Sequence, residues 1–406
     1  MNYADIVWVL ISTALVMLMT PAVGLFYGGM VRRKNLLSTI TMSALTLGLI
    51  SIEWVLIGYS MAFGPDRFGL IGSFEWAGLK NVGYKPNPDY AATIPHLLFM
   101  AFQMMFAVIT PALIVGAYVE RIKFSSYILF TLLWSIFVYN PVAHWVWAKG
   151  GWLKNLGALD FAGGTVVHIT AGVSALALSL VLRKRKDFGK VQMEPNNIPL
   201  TLLGAFLLWF GWFGFNGGSS LAANEIGVNA FVVTNVAAAS AAVSWMIISW
   251  LYKKPSAIGI ATGAVVGLVA ITPASGYVNS LSAIVIGAVA SIISFYCIRL
   301  RERLELDETL DVWACHGMGG TWGAIATGIF ASKAVNPAGN DGLLFGNYKL
   351  FFVQLISVLV VWAFSFIVTI IISKVLDRTV GLAVTYEEET VGLDISQHGE
   401  EAYGGI

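Results

Sequence analysis

Eleven apolar runs follow one another along the chain, each long enough to cross the ~30 Å hydrocarbon core of a bilayer at ~1.5 Å per helical residue. They lie near 6–30, 36–63, 94–118, 124–147, 162–182, 198–220, 228–252, 256–274, 279–298, 310–332 and 349–375. A water-soluble globule of this size has nowhere to hide that much apolar surface, since 57% of the 406 residues are hydrophobic and 12% charged. The class is an all-α polytopic membrane protein, with the lipid bilayer as its surroundings. A net charge of +1 gives no footprint for a nucleic acid. The first run opens "MNYADIVWVL", with Asp5 and no Lys or Arg ahead of it, and reads as a retained helix rather than a signal peptide. Cys297 and Cys315 both sit inside apolar runs and read as small core residues.

Orientation follows from the loops. Of the 24 basic residues, all but Arg67, Lys80, Lys85, Lys149, Lys154, Lys333 and Lys349 fall after odd-numbered runs. The positive-inside rule therefore predicts an amino terminus outside and a carboxyl terminus inside, as an odd helix count also requires.

Two of the runs carry a histidine at their centre. "DFAGGTVVHITAG" (160–172) places His168 among Gly163, Gly164 and Gly172, and "DVWACHGMGGTWGA" (311–324) places His316 among Gly317, Gly319, Gly320 and Gly323. Glycine at this density lets helix backbones approach closely enough to bring two rings together. The runs are the fifth and the tenth, so a five-helix unit repeated in tandem crosses the membrane with opposite polarity the second time. That arithmetic predicts a five-plus-five inverted repeat with one additional helix, and a site near the midplane where the halves meet. A lone histidine in such a helix can be structural glue on a neighbouring carbonyl. A matched pair in oppositely directed helices reads as a substrate or proton path. Asp160 lies eight residues before His168, ~12 Å along a helix, too far to orient the ring, and its expected role is to cap the helix.

Neither histidine run has a carboxylate near its centre, so a bare metal ion would find no compensation for its lost hydration shell. Aromatic residues are abundant instead: Phe102, Phe106, Trp147 and Phe215, with the hydroxyl of Ser219 close in sequence to the last. Each alone reads as packing or as a membrane-interface anchor. As a set they suit a weakly hydrated cation that hydrogen-bonds and can leave its charge behind.

From "TPAVGLFYGGMVRRKN" (20–35) through "DFAGGTVVHITAG" to "VGLDISQHGEEAY" (391–403), the sequence closely resembles the ammonium transporter family (Amt/Mep/Rh), in its bacterial and archaeal Amt branch. The resemblance implies a homotrimer of eleven-helix subunits in the cell membrane, each with its own narrow apolar pore. It implies that Trp147, Phe102 and Ser219 recruit ammonium, that Phe106 and Phe215 form a stacked gate beneath them, and that His168 and His316 share a hydrogen bond in the pore. Asp160 is similar to the family's vestibule aspartate and Asp311 to its counterpart in the second half. No enzyme activity, cofactor or resident metal is implied.

Residues 1–380 are thus expected to form the transporter domain and 381–406 a cytoplasmic carboxyl-terminal regulatory tail. By composition the acidic tail reads as a solvated end. The resemblance implies instead an ordered segment on the face where a PII-type signalling protein docks, with His398 belonging to tail structure. Glu53, inside the second run, has no assigned role. Three other readings stand beside ammonium transport: a passive channel for a neutral gas, an ammonium sensor acting through a cytoplasmic partner, and an intramembrane metalloenzyme. The last lacks both an H-E-x-x-H pattern and a carboxylate within one turn of either histidine.

Overall fold

The computed structural model describes residues 1–403. The tail's last three positions, 404–406, lie outside the described residues. Among the described residues, nine helical spans are long and apolar enough to cross a bilayer: α1 (Tyr3–Met30), α2 (Arg33–Phe63), α3 (His96–Tyr118), α4 (Phe124–Leu156), α5 (Gly164–Val181), α6 (Ile198–Gly217), α7 (Glu225–Trp250), α9 (Ser280–Arg303) and α11 (Tyr348–Thr379). Between them lie a shorter apolar helix, α8 (Ala257–Ile271), and α10 (313–330), which opens as the π-turn Trp313–Met318 and continues as Gly319–Phe330. A hairpin of β1 (Asp66–Arg67) and β2 (Ile71–Gly72) follows α2.

Burial sorts these helices. In α3 and α5 the most apolar stretch is 83% and 78% buried, against 33% in α2, α9 and α11, so α3 and α5 form the centre and the others present one face outward. Ile52, Leu56, Phe206, Phe210, Leu359 and Ile371 are exposed on those outer faces, where an aqueous protein would carry charge. α1 packs along α6, and α7 along α8 and α9. Small residues set the spacing: a Cβ at Gly204 of α6 would meet the backbone of Phe26 in α1.

Five spans contain a turn of π-helix, at Trp54–Gly58, Ser135–Tyr139, Gly164–Ile169, Phe213–Gly217 and Trp313–Met318. Such turns leave one residue out of the regular ladder and gather at functional sites. Both central histidines and Phe215 lie in them. The fifth helix starts at Gly164, two residues later than its apolar run, because Gly163 holds φ at +111°, a left-handed conformation that favours glycine. The tenth starts at Trp313 after Asp311, with φ at +60°.

Residues 381–403 of the tail pack against the body of the protein. Val384 N–H donates to the Arg121 carbonyl at 2.9 Å, and a short helix, α12 (Tyr386–Val391), opens with a capping box from Thr385 and Glu388. Asp394 then accepts from the N–H groups of Leu37 (3.1 Å) and Ser38 (2.8 Å), so the tail caps the start of α2. His398 sets its ring against Phe124, centroids 4.7 Å apart.

Beneath the tail, buried charges tie the loops together. Glu120 accepts from Arg185 at 2.8 Å and pairs with Arg32 at 3.1 Å, while Asp307 pairs with Arg185 at 2.6 Å and with Arg121 at 3.0 Å. Burial alone would raise the pKa of Glu120 and Asp307, but the arginines outweigh it and hold both below the usual carboxylate values. Depressed carboxylates contribute stability above their unfolded pKa and lose it as pH falls through the folded one. Thermal unfolding of the purified protein should therefore hold steady from neutrality to about pH 4 and weaken below it. Glu120→Gln leaves Arg185 and Arg32 short of a buried partner, at a cost of about 3–5 kcal/mol. It should lower the midpoint at neutral pH, and an unchanged midpoint would show the network to be dispensable.

Candidate functional site

The aspartate ahead of the first histidine helix organises one end of the site. Asp160 accepts from four backbone N–H groups: Gly163 (2.8 Å), Gly164 (2.7 Å), Thr165 (2.8 Å) and Val166 (3.1 Å). These are the donors that a helix start leaves unpaired. Burial pushes the pKa of Asp160 upward and the four donors oppose that rise. Its carbonyl accepts from Trp147 Nε1 at 2.9 Å, which fixes the indole over the same end of the bundle.

Trp147, Phe106 and Ser219 line a pocket of about 150 Å³ there, together with Phe161, Gln103 and Tyr90. Ser219 Oγ donates to the Phe215 carbonyl at 2.8 Å. Phe102 is not among the lining residues. Its ring is fully buried against Phe106, centroids 4.9 Å apart, and supports that ring rather than facing the pocket. Phe161 and Gln103 face the pocket although neither stood out in the sequence; Gln103, one turn from Phe106 on the same helix, was the available signal.

The Phe106 and Phe215 rings lie 4.2 Å apart at 32° and separate this pocket from a second, much narrower one. That inner cavity measures about 10 Å³, near the limit for one water-sized molecule. Ile109, Leu113, Val167, Leu208, Trp212 and Val265 give it largely apolar walls, and His168 and His316 line it as its titratable imidazoles. The two Nδ1 atoms are 3.2 Å apart, and the rings are tilted by 30°. A bond between like nitrogens needs one N–H and one lone pair, so at least one ring is neutral. His168 also lies against Trp212, centroids 5.4 Å apart at 24°, and its Nε2 has no hydrogen-bond partner among the described residues.

Glycine brings the rings this close. A Cβ at Gly172 would run into the backbone of Gly317, and one at Gly320 would press on His168 Cβ. Gly172 follows His168 by four residues and Gly320 follows His316 by four, so the same device occurs in each half.

The capping carboxylate of the second half is Glu308 rather than Asp311. Glu308 accepts from the N–H groups of Val312 (2.9 Å) and Trp313 (3.2 Å), whereas Asp311 pairs with Arg301 Nε at 2.5 Å. The spacing carried the signal, since Glu308 stands eight residues before His316 as Asp160 does before His168. Asp311 and His316 line a third cavity, of about 610 Å³, at the other end of the site. Glu53 is buried between α2 and α4, accepting from Asn140 Nδ2 (2.9 Å) and Ser135 Oγ (3.2 Å). Among the described residues no three His, Cys, Asp or Glu side chains gather as a metal site.

A bundle of long apolar helices around three cavities, narrowed at two facing rings and a histidine pair, defines a multi-pass membrane protein. The pattern of the Ammonium Transporter Family matches residues 7–403. The chain belongs to that family. It is 52% identical over 403 residues to an ammonium transporter of Archaeoglobus fulgidus, covering 99% of this chain and 100% of that one. The crystal structure of Candida albicans Mep2 superposes with a TM-score of 0.90 at 38% identity, covering 99% of this chain and 90% of that one. A solved structure described as a sensor Amt protein superposes with a TM-score of 0.89 at 31% identity, covering 98% of each chain.

Proposed function

We propose that this protein is an ammonium transporter of a cell membrane, taking ammonium from outside and delivering ammonia and a separately relayed proton to the cytoplasm. The observation that carries the mechanism is the 3.2 Å contact between two histidines inside an apolar-walled cavity too narrow for a hydrated ion. Trp147 offers its ring face and Ser219 its hydroxyl to the arriving cation, with Phe102 bracing Phe106 from behind. The Phe106–Phe215 stack must part before anything passes. Beyond it ammonia crosses the apolar gap while the proton moves through the imidazoles, so no bare cation enters the low-dielectric core.

The same reading assigns eleven crossings as two inverted five-helix units with α11 added, amino terminus outside and carboxyl terminus inside. What supports the repeat is the recurrence in each half of a carboxylate eight residues before the histidine, a π-turn around it and a glycine four residues after it. The subunit works as one of three, and residues 381–406 form the regulatory surface for a PII-type partner, supported by the docking of the tail on the start of α2 and on the loop after α3. A sensor function keeps one supporting observation, the likeness to the sensor Amt structure.

Ammonium-driven current in liposomes holding the purified protein tests the transport reading, and its absence would sink it. The recruitment role is tested by Trp147→Leu, which keeps apolar bulk but loses the indole face. It should weaken capture by about 0.5–2 kcal/mol, raising half-saturation severalfold while the pore still conducts. An unchanged concentration dependence would make Trp147 a packing residue only.

A further inference from the structure

The pocket at the Trp147 end holds a cation of its own. Two charged side chains line it, Asp89 and Lys154. Asp89 is engaged by Lys149, Nζ to Oδ1 2.6 Å. Lys154 has no carboxylate within ion-pair distance among the described residues; its Nζ donates to the carbonyl of Trp147 at 2.8 Å. That carbonyl belongs to the residue whose ring lines the same pocket, and it closes the α-helical segment Asn140–Trp147 of α4, broken at the extended Ala148, where the backbone dipole attracts positive charge. An alkylammonium group of this chain therefore occupies the mouth of a pocket suited to ammonium. Asp89 is shared with Lys149, which leaves the charge of Lys154 only partly compensated.

Resting on the transport reading above, we propose that Lys154 is an affinity-setting residue: its tethered ammonium group competes electrostatically with the incoming cation at the pocket, and Asp89 offsets part of that repulsion. Lys154 lies at an exposed position, so solvent moderates the effect without removing it. Unit charges several ångströms apart at a wet mouth repel enough to change binding by about three- to tenfold, and the effect shrinks when salt shortens the Debye length. The brake is thus strongest in dilute surroundings. Lys154 does not touch the histidine cavity, so its removal should alter the concentration at which transport saturates and leave the maximal current unchanged.

The test is ammonium-driven current in proteoliposomes, compared at about 10 mM and 500 mM sodium chloride, conditions that move the Debye length from ~30 Å to under 5 Å. Lys154→Gln should lower half-saturating ammonium about three- to tenfold in dilute salt, with the gap to wild type closing in concentrated salt. Lys154→Arg should stay near wild type because the charge remains. Asp89→Asn should shift half-saturation the other way, and the double variant should return toward wild type. A Lys154→Gln curve that coincides with wild type in dilute salt would overturn the proposal. So would a shift that persists undiminished in concentrated salt, or one reproduced by Lys154→Arg, since either marks lost packing rather than lost charge. Wild-type protein that carries no ammonium current would instead fail the transport reading, before any variant is compared.

Discussion

Alanine at both His168 and His316 is expected to abolish ammonium-driven current while leaving the protein folded and its Trp147 pocket intact. The pair supplies the titratable imidazoles of a cavity of about 10 Å³ whose other walls are largely apolar. Without it a proton has no relay, and a desolvated cation would face the full cost of an unpaired buried charge, several kcal/mol or more. At ~1.4 kcal/mol per tenfold in rate, that exceeds what a wider cavity could recover. The comparison is steady current per folded protein molecule in liposomes, with ammonium binding at the first pocket followed separately by calorimetry. Normal ammonium-selective current through a folded double variant would make the pair structural glue, the alternative that a single intramembrane histidine always leaves open.

Asp160→Ala should be nearly as severe, for a different reason. Four buried N–H groups would lose their acceptor at once. Each unpaired donor costs about 1–3 kcal/mol, so a net loss on the order of 4 kcal/mol survives generous relaxation. The start of α5 would then unwind toward His168, and the Trp147 indole would lose the fixed carbonyl that positions it. Lower thermal stability and a loss of current greater than tenfold are expected together. Asp160→Asn should be intermediate, because its one carbonyl oxygen still serves two donors while its amide group confronts the other two. Wild-type stability and current in Asp160→Ala would show that water replaces the carboxylate without cost, and the capping role would fall.

The histidine stretches were legible in the sequence because helix geometry makes their surroundings local. A ring placed among glycines at spacings of four announces a close helix contact whatever its partner is. The pairing of Phe106 with Phe215 came only from the family resemblance, since nothing local to either residue says that two helices far apart in sequence bring these rings together. Phe102 was harder. One turn before Phe106, it shares that residue's helix face, and only the packing of α3 against its neighbours turned its ring away from the pocket. Asp311 misled because residue type outweighed spacing. The offset of eight residues from the histidine belongs to Glu308, and the left-handed backbone at Asp311 sends that side chain to Arg301 instead.

What the sequence determined by itself is the membrane environment, which follows from hydropathy, a sum over neighbouring residues that needs no tertiary contact. What only the tertiary structure decided is which buried polar group meets which. Glu53 finds Asn140 and Ser135 across 87 and 82 residues, Asp394 caps a helix that begins more than 350 residues earlier, and Lys154 turns back to the carbonyl of Trp147 beside Phe106 and Ser219. In an apolar interior an unpaired polar group is so costly that each must find a partner, but the partner's place in the chain is set by how the helices pack, and no local pattern encodes it.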